Sequence, residues 1–461
     1  MGIFGALTTS VAGLRAESYA LENISGNIAN SQTTAFKRID TSFLDLIPET
    51  GPTQQKAGSV TSASRSTNTV QGDVQAASVS TYMAINGAGF FVVQKPGNFT
   101  DNQPIFDGVE NYTRRGDFTL NKDGYLVNGA GYYLEGIPID PTTGNLVGSA
   151  PQILKFKNDF LPAQQTSKVE YRANLASYPL TTKHDTAVPG SELLKPADFS
   201  AGHDPTASGT GQVIGSDIQS FIDESIAGGA VTAYDISGAP VQLQFRWAKV
   251  DSASLGSGHT DTWNMFYQVD PNATGTDVAW QNVGVNFSFS SNGQPNPPVA
   301  SVTLSNAVVG GIALGSPVIN FSAGGLTQYA DANGNVQVNQ IQQDGYPAGS
   351  LQSVSISDNG RVVGNYSNGR NRDLAQIVLA TFNGPDFLKR IDGGAFEATD
   401  GSGQALFGNG GTIVGSSLEG SNTDIADEFT KLIVTQQAYS ANTKVITTSN
   451  QMVQDLLNVL R

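Results

Sequence analysis

The sequence contains no cysteine and only three histidines among its 461 residues. Without cysteine, neither a disulfide nor thiolate chemistry is available, so zinc–thiolate sites and cysteine nucleophiles are excluded. The histidines His184, His203 and His259 are isolated from one another and show no metal-ligand spacing. We therefore expect neither a metal site nor a catalytic histidine.

Positive charge and long apolar runs are also scarce. The chain has 25 basic and 40 acidic residues, which gives a formal net charge of -15. Nucleic acids and anionic membrane surfaces both require a basic face, so neither is expected as a partner. No window approaches 18 uninterrupted apolar residues, and we expect no membrane insertion. The N-terminus lacks the basic segment of a secretory signal, so no cleaved signal peptide is predicted.

The short motifs that accompany common enzyme chemistries are missing as well. The sequence has no dinucleotide-binding or phosphate-binding glycine motif and no nucleophile elbow. The loop at 331–335 resembles a calcium loop only faintly, because Gln342 stands where the acidic twelfth residue should be. A hairpin turn is the better interpretation. The sequence thus predicts a protein that is not an enzyme and needs no cofactor.

Both ends of the chain, by contrast, carry a helical signal. Apolar residues recur at alternating steps of three and four, which is typical of a helix with one apolar seam. In the C-terminal stretch a second, interleaved series becomes polar at Gln436, Thr443 and Asn450. The seam positions that we expect to support assembly are Leu7, Leu14, Leu21, Ile28, Ile425, Leu432, Tyr439, Ile446, Val453 and Leu460.

Neither helix can bury its seam alone, because isolated amphipathic helices are marginal in water. Each is the simplest partner for the other, and we predict an antiparallel coiled coil of the two termini. Two ordinary surface helices on a globular core are the alternative. Gln436, Thr443 and Asn450 either set the register, or face a wet channel, or form the exposed edge of the seam.

The long middle of the chain has the composition of turn-rich β structure. It accounts for most of the 52 glycines and 20 prolines, and Asp123-Gly124 and Asn359-Gly360 are typical hairpin turns. Residues 58–69 predict either a flexible linker or an extended strand packed on a neighbour. The fold class expected is therefore multidomain and mainly β with α-helical termini, the β domains being nested between the paired helices.

Four regions are predicted from these signals. They are a terminal coiled-coil domain (1–30 plus 422–461), an extended linker region (31–80 plus 408–421), a split β domain (81–165 plus 345–407) and an inserted outer β domain of one or two subdomains (166–344).

Three blocks of sequence resemble the bacterial flagellar rod and hook proteins. The first, at 26–38, contains the signature residues Asn27, Asn30, Phe36 and Lys37, with Ala35 where the family usually has glycine. The second block combines 85–93 with 112–127. The third combines 418–424 with 436–446 and includes Asn442.

The resemblance implies a structural subunit of the flagellar hook. Such subunits polymerise into a curved, flexible tube that transmits motor torque and encloses the export channel, with the terminal coils lining the inner tube. The implied partners are further copies of the chain, the rod, the hook cap, the hook–filament junction proteins and the export apparatus. The implied location is extracellular, reached by type III export without a cleaved signal. The long β insertion favours the hook over a distal rod subunit, and a secreted β-rich adhesin is the remaining alternative.

Overall fold

The computed structural model describes residues 3–46, 59–101, 103–140, 143–156, 160–322, 324–408 and 410–459. Long helices stand at the two ends of this chain, with strands and one short helix between them. The helices are α1 (Ile3–Ala29), α2 (Ile218–Asp223) and α3 (Ile425–Val459). The predicted fold class, mainly β with helical ends, is confirmed at this level.

The chain divides into two compact units. Unit 1 comprises Met1–Asp159 and Leu351–Arg461, and unit 2 comprises Phe160–Ser350. Unit 2 is thus inserted into unit 1 in sequence, at boundaries close to those predicted for the inserted domain. The finer division into four regions stays a prediction.

The strands of the described residues are given in chain order. Before unit 2 they are β1 (Ile39–Leu46), β2 (Ser59–Ser66), β3 (Val74–Ala76), β4 (Met83–Asn86), β5 (Phe90–Gln94), β6 (Pro96–Thr100), β7 (Gln103–Phe106), β8 (Asn111–Thr113), β9 (Thr119–Leu120), β10 (Leu126–Val127), β11 (Tyr133–Pro138) and β12 (Gln152–Ile153). Those that follow are β13 (Phe160–Leu161), β14 (Lys168–Ala176), β15 (Gln212–Ile214), β16 (Ile226–Tyr234), β17 (Pro240–Asp251), β18 (Asp261–Gln268), β19 (Val278–Phe289), β20 (Ser301–Thr303), β21 (Ala307–Val309), β22 (Ile312–Gly315), β23 (Val318–Asn320), β24 (Leu326–Tyr329) and β25 (Gln337–Gln343). The last are β26 (Gly349–Ile356), β27 (Arg361–Tyr366), β28 (Asn371–Gln376), β29 (Leu379–Thr381), β30 (Lys389–Ile391), β31 (Ala395–Glu397), β32 (Leu406–Phe407), β33 (Thr412–Gly415) and β34 (Ser417–Glu419).

Strand β5 forms the centre of unit 1. It pairs with β8 and β11, and every one of its residues is buried. Phe91 and Val93 pack into one apolar cluster, while Phe90 and Val92 pack into another. A strand that is covered on both faces reads as a continuous apolar run, which is why 90–93 shows no alternation.

Unit 2 contains a five-stranded antiparallel sheet in the order β15-β19-β18-β17-β16 and a second sheet centred on β14. The alternating pattern of β17 buries Leu243, Phe245 and Trp247 in one core. The Trp247 indole donates to the hydroxyl of Tyr171 at 2.9 Å, and that hydroxyl donates to the carbonyl of Gly228 at 2.7 Å. The polar atoms of these two aromatic side chains are therefore paired, whereas the Trp263 indole nitrogen in the same core is buried with no partner among the described residues.

Predicted local features agree with the structure at several points. Gly124, at φ +85°, turns the chain between β9 and β10, and Gly360, at φ +71°, turns it between β26 and β27. The ambiguous stretch at 58–69 forms strand β2, which pairs antiparallel with β1 from Ser59 to Ser66. The strand alternative therefore holds for the described part of this stretch.

Ala35 follows α1 and adopts the left-handed conformation, with φ +55°. The turn at this position is thus kept although glycine is absent. Ala35 is buried, and its amide donates to the carbonyl of Glu419 at 2.9 Å, so the strained backbone fixes where the chain leaves the helix. This conformation costs an L-residue about 1–2 kcal/mol, and it costs a β-branched residue more.

We expect Ala35→Val to destabilise unit 1 by about 2 kcal/mol or more, because Val is poorly tolerated at positive φ. Ala35→Gly should change stability by less than about 1 kcal/mol, because the strain it relieves is offset by chain entropy and a lost methyl contact. Urea unfolding followed by far-UV circular dichroism measures both. Equal destabilisation by the two variants would contradict the left-handed turn.

Candidate assembly helices and their polar junction

Helices α1 and α3 lie side by side and run in opposite directions. Near one end, the Asn442 side chain covers Gly13, where an added Cβ would lie 3.0 Å from Asn442 Nδ2. Further along, Asn27 Nδ2 donates to Glu428 Oε2 at 3.0 Å. The two contacts are fourteen residues apart on both helices, about 21 Å at the helical rise of 1.5 Å per residue. The helices therefore stay in register over four turns.

The buried face of the helix pair is made mainly of small and polar residues. On α1 the buried positions are Ser10, Gly13, Ala16, Ala20, Ile24 and Asn27. On α3 they are Glu428, Thr435 and Ser449, with half-buried Leu432, Asn442, Ile446 and Val453 between them. Small residues let the two backbones approach closely, but they bury little apolar surface.

The predicted seam residues occupy the flank of this contact rather than its centre. Leu7, Leu14, Leu21 and Ile28 are half-buried, as are Leu432, Ile446 and Val453. Ile425 and Tyr439 are exposed, and Leu460 lies outside the described residues. In the single chain, the contacts that join α1 to α3 involve Gly13 and Asn27 instead. The part of the ten seam positions in assembly stays a prediction.

The large apolar side chains of α3 point mostly to solvent. Nine of them in the described residues are 40–60% exposed: Ile425, Phe429, Ile433, Val434, Tyr439, Val445, Met452, Leu456 and Leu457. We call this set the outer stripe of α3. So many exposed large apolar side chains on one helix mark an interaction site in a soluble protein.

The polar series on α3 is also exposed. Gln436, Thr443 and Asn450 all face solvent in the single chain. This agrees with the exposed-edge alternative for one subunit. A role toward a channel or a neighbouring subunit is left as a proposal.

A buried network of ion pairs lies where both helices join unit 1. Glu419, at the end of β34, accepts from Lys37 Nζ at 2.5 Å through Oε1 and from Arg114 Nη1 at 3.4 Å through Oε2. All three side chains are at most 2% exposed. The triad thus ties the exit of α1, the approach to α3 and the β body to one point.

Burial opposes the charge on both cations of the triad. It lowers the pKa of Lys37 and of Arg114, and the Glu419 carboxylate acts in the opposite direction on each. Two further hydrogen bonds support the cations: Lys37 Nζ donates to the Val70 carbonyl at 2.7 Å, and Arg114 Nη2 donates to the Gly87 carbonyl at 2.7 Å. Among the described residues, Arg114 Nε is buried with no hydrogen-bond partner. A buried group of paired charges is costly to break at any one member.

Family models match the chain in three places. Residues 84–153 match "Flagellar hook protein FlgE/F/G D1 domain", and residues 227–346 match "Flagellar basal body protein FlaE D2 domain". Residues 414–459, which include α3, match "Flagellar basal body rod FlgEFG protein C-terminal".

Relatives align with the chain from end to end. The flagellar hook protein FlgE of Brucella melitensis is 28% identical over 466 residues, with both chains covered completely. Those of Escherichia coli and Salmonella typhimurium are 28% and 29% identical over 98% of this chain and 100% and 98% of theirs. The chain belongs to the flagellar hook and rod protein family. A solved hook protein, FlgE2 of Helicobacter pylori, aligns with a TM-score of 0.47 at 16% identity, over 75% of this chain and all of that one.

Family membership confirms three expectations. The chain is a structural flagellar component and not an enzyme, and its location is the extracellular flagellar hook. Within the described residues, no helix is long and apolar enough to cross a membrane. The described residues also contain no group of three or more acidic, histidine or cysteine side chains placed to hold a metal ion.

The flagellar signature residues occupy the junction between α1 and the β body. Asn27 joins α1 to β1, since its Oδ1 accepts from the Ile39 amide and its Nδ2 donates to the Ile39 carbonyl, both at 2.9 Å. Asn30 closes the last turn of α1 by donating to the Gly26 carbonyl at 2.9 Å. The guanidinium of Arg390 lies 5.8 Å from the ring centre of Phe36.

Sequence reasoning identified four of the junction residues but missed its central anion. Glu419 lies within residues 418–424, which resemble the flagellar proteins. Nothing in the sequence indicates that its side chain is buried. Asn422 was missed in the same way: its Oδ1 accepts from the Arg38 amide at 2.7 Å, and its Nδ2 donates to Thr67 Oγ1 at 3.1 Å. The only available signal was an acidic residue and an asparagine flanking Gly420.

Gly13 offers a direct test of the helix contact. Gly13→Leu should separate α1 from α3, because even a Cβ would lie 3.0 Å from the Asn442 side chain. We expect the loss of about 1–3 kcal/mol of helix-pair stability, measured as faster amide exchange in both helices of the assembled polymer.

Gly26→Ala is the matched control, because an added Cβ there meets nothing within 4 Å. This substitution should stabilise α1 by up to about 1 kcal/mol. If Gly13→Leu leaves exchange in α3 unchanged, the two helices do not pack in solution as they do here.

Proposed function

We propose that this chain is a hook subunit that self-assembles through its terminal helices into a tube, with unit 2 as the outer layer. One observation carries the proposal. The helix pair buries its small and polar residues internally and presents its large apolar residues, the outer stripe of α3, to solvent. Such an arrangement is stable only when further copies cover the stripe.

The energetics support assembly rather than a stable isolated helix pair. Burying the exposed half of each outer-stripe residue contributes about 1 kcal/mol per side chain, or roughly 9 kcal/mol before the costs of association. Within one chain, the contact of Gly13, Ala16 and Ala20 supplies far less. We infer that the helices pair as an antiparallel coiled coil whose final stability comes from neighbouring copies.

The finer mechanical role rests on the contrast between the two layers. Unit 2 contains fifteen acidic and six basic residues. Like-charged outer units repel one another, so their contacts in a polymer should be weak and wet. An outer layer that slides over a firmly packed inner layer can bend while it transmits torque, as a universal joint requires.

Export and the remaining partners belong to the same proposal. Terminal segments with weak internal packing suit passage through a type III export channel before they order in the polymer. In the tube, Gln436, Thr443 and Asn450 would provide a polar strip toward the channel lumen. The rod, the hook cap and the junction proteins would contact the two ends of the polymer.

A distal rod subunit is the second candidate, because the match at 414–459 is described for rod proteins. Electron microscopy of polymers grown from the purified chain separates the two. Curved short tubes are expected for a hook subunit, and straight rods would favour the second candidate. No tubes at any concentration would contradict both and would return the adhesin alternative to consideration.

A further inference from the structure

The hairpin formed by β6 and β7 contacts the rest of unit 1 at its root and, near its tip, through the bond that Lys155 Nζ donates to Gln103 Oε1 at 3.3 Å. The Phe106 ring packs against Tyr133 and Tyr125, with ring centres 5.0 and 6.3 Å away. Toward the tip, Phe99 is 58% exposed and Ile105 is 45% exposed. The seating of the root therefore controls how this hairpin presents its apolar side chains.

A buried carboxylate stands on the strand that carries Tyr133, the ring on which the root packs. Glu135 stands two residues after Tyr133 on β11, so both side chains project from the same face of the strand. Glu135 is 2% exposed, and its Oε1 accepts from Gln94 Nε2 at 2.5 Å. Its Oε2 is buried with no hydrogen-bond partner among the described residues. Gln94 lies two residues before Pro96, where the hairpin begins. The hydrogen bond from Gln94 therefore links Glu135 to the strand that leads into the hairpin.

A second carboxylate approaches from the strand that leaves the hairpin. Glu110 follows β7 and accepts from the Tyr112 hydroxyl at 2.8 Å. It is the charged group whose field acts on Glu135. Among the described residues, the cations beside β11 are engaged elsewhere. Lys95 lies over the Tyr132 ring and Lys155 over the Tyr125 ring, while β12 places Ile153 opposite Glu135.

We propose that Glu135 and Glu110 form a proton-operated latch at the root of the β6–β7 hairpin. When Glu135 is protonated, only Glu110 carries a charge. When Glu135 loses its proton, both groups are negative, and the Glu135 carboxylate is buried with one unpaired oxygen. The root then loosens, and Phe99 and Ile105 become less fixed. The device lies within one chain and does not depend on assembly.

The pKa of Glu135 agrees with this geometry. Burial has the largest effect and raises the pKa, the Glu110 charge raises it further, and the hydrogen bond from Gln94 lowers it. The resulting pKa of Glu135 is about 7. The pKa of Glu135 in the folded chain lies above the ordinary value of 4.5. At any pH between these two values, folding therefore takes up a proton. Stability from this group is therefore full below about pH 4.5, falls across that window and stays low above about pH 7.

The test compares wild type with Glu135→Gln in urea unfolding and in amide exchange of residues 96–106, corrected for intrinsic pH effects, at pH 5, 6, 7 and 8. In wild type the unfolding constant of unit 1 should increase by up to tenfold per pH unit as the pH rises to about 7. This contribution should be absent from Glu135→Gln. Hairpin exchange should rise between pH 6 and pH 8, as Glu135 in the folded chain loses its proton. Asp101→Asn, at the exposed tip, is the matched control and should keep the wild-type slope.

A direct titration keeps the proposal testable if Glu135→Gln folds poorly. The ¹³C shift of the Glu135 carboxyl in the intact chain should titrate near pH 7 and move downward in Glu110→Gln. A midpoint near 4.5, or hairpin exchange that is the same at pH 6 and pH 8 after correction, would overturn the latch.

Discussion

Replacing Phe429 and Ile433 together by Asp is expected to abolish polymerisation. Both side chains belong to the outer stripe of α3, at 49% and 53% exposure, so neither is a core residue of the monomer, which should keep its far-UV spectrum. In a polymer, each carboxylate would have to be buried against a neighbouring copy, at a cost of several kcal/mol per site. The critical concentration, measured by sedimentation of the polymer, should rise by at least about 100-fold.

The matched control introduces two carboxylates at exposed apolar positions of unit 2. Ile236 and Val308 are 79% and 43% exposed, and the double change to Asp should leave the critical concentration within about threefold of wild type. Equal losses in the two doubles would mean that net charge, and not the outer stripe, governs assembly.

Removing the anion of the buried triad is expected to have the largest effect on the monomer. Glu419→Gln leaves Lys37 and Arg114 buried without a counter-charge and weakens the bond that the carboxylate accepts from the Gly72 amide at 2.9 Å. Breaking a buried ion pair at one partner typically costs 3–5 kcal/mol, and we expect unit 1 to be destabilised by about that amount. Urea unfolding followed by circular dichroism measures this change.

The chain supplies both an internal and a matched control for this experiment. All three tryptophans, Trp247, Trp263 and Trp280, lie in unit 2, so the tryptophan fluorescence transition should not move. Glu397→Gln breaks the exposed pair with Lys389, which is 2.7 Å long, and should cost no more than about 1 kcal/mol. If Glu419→Gln costs no more than Glu397→Gln, the triad does not hold the junction together.

The sequence was sufficient for the features that depend on local pattern. The heptad spacing predicted both terminal helices, and Gly124 and Gly360 mark hairpin turns because their positive φ carries little cost for glycine. Strand β5 could be placed from its apolar run. Each of these signals lies within a few residues of the structure that it predicts.

The features that sequence could not supply depend on distant partners or on small residues. Lys37 and Glu419 are 382 positions apart, so nothing local indicates that they meet. The contacts between α1 and α3 involve Gly13 and Asn27, which carry no apolar signal, so the apolar period did not identify them. Ala35 adopts a conformation that its residue type disfavours, which only the surrounding contacts impose.

The most direct measurement is amide exchange across 425–459 in dilute monomer and in the sedimented polymer. If neighbouring copies supply the stability of α3, its amides should exchange within seconds to minutes in the monomer and be protected at least 100-fold more strongly once the polymer forms. Strong protection in the monomer, unchanged by dilution and by assembly, would show that the helix needs no neighbours and would contradict the account.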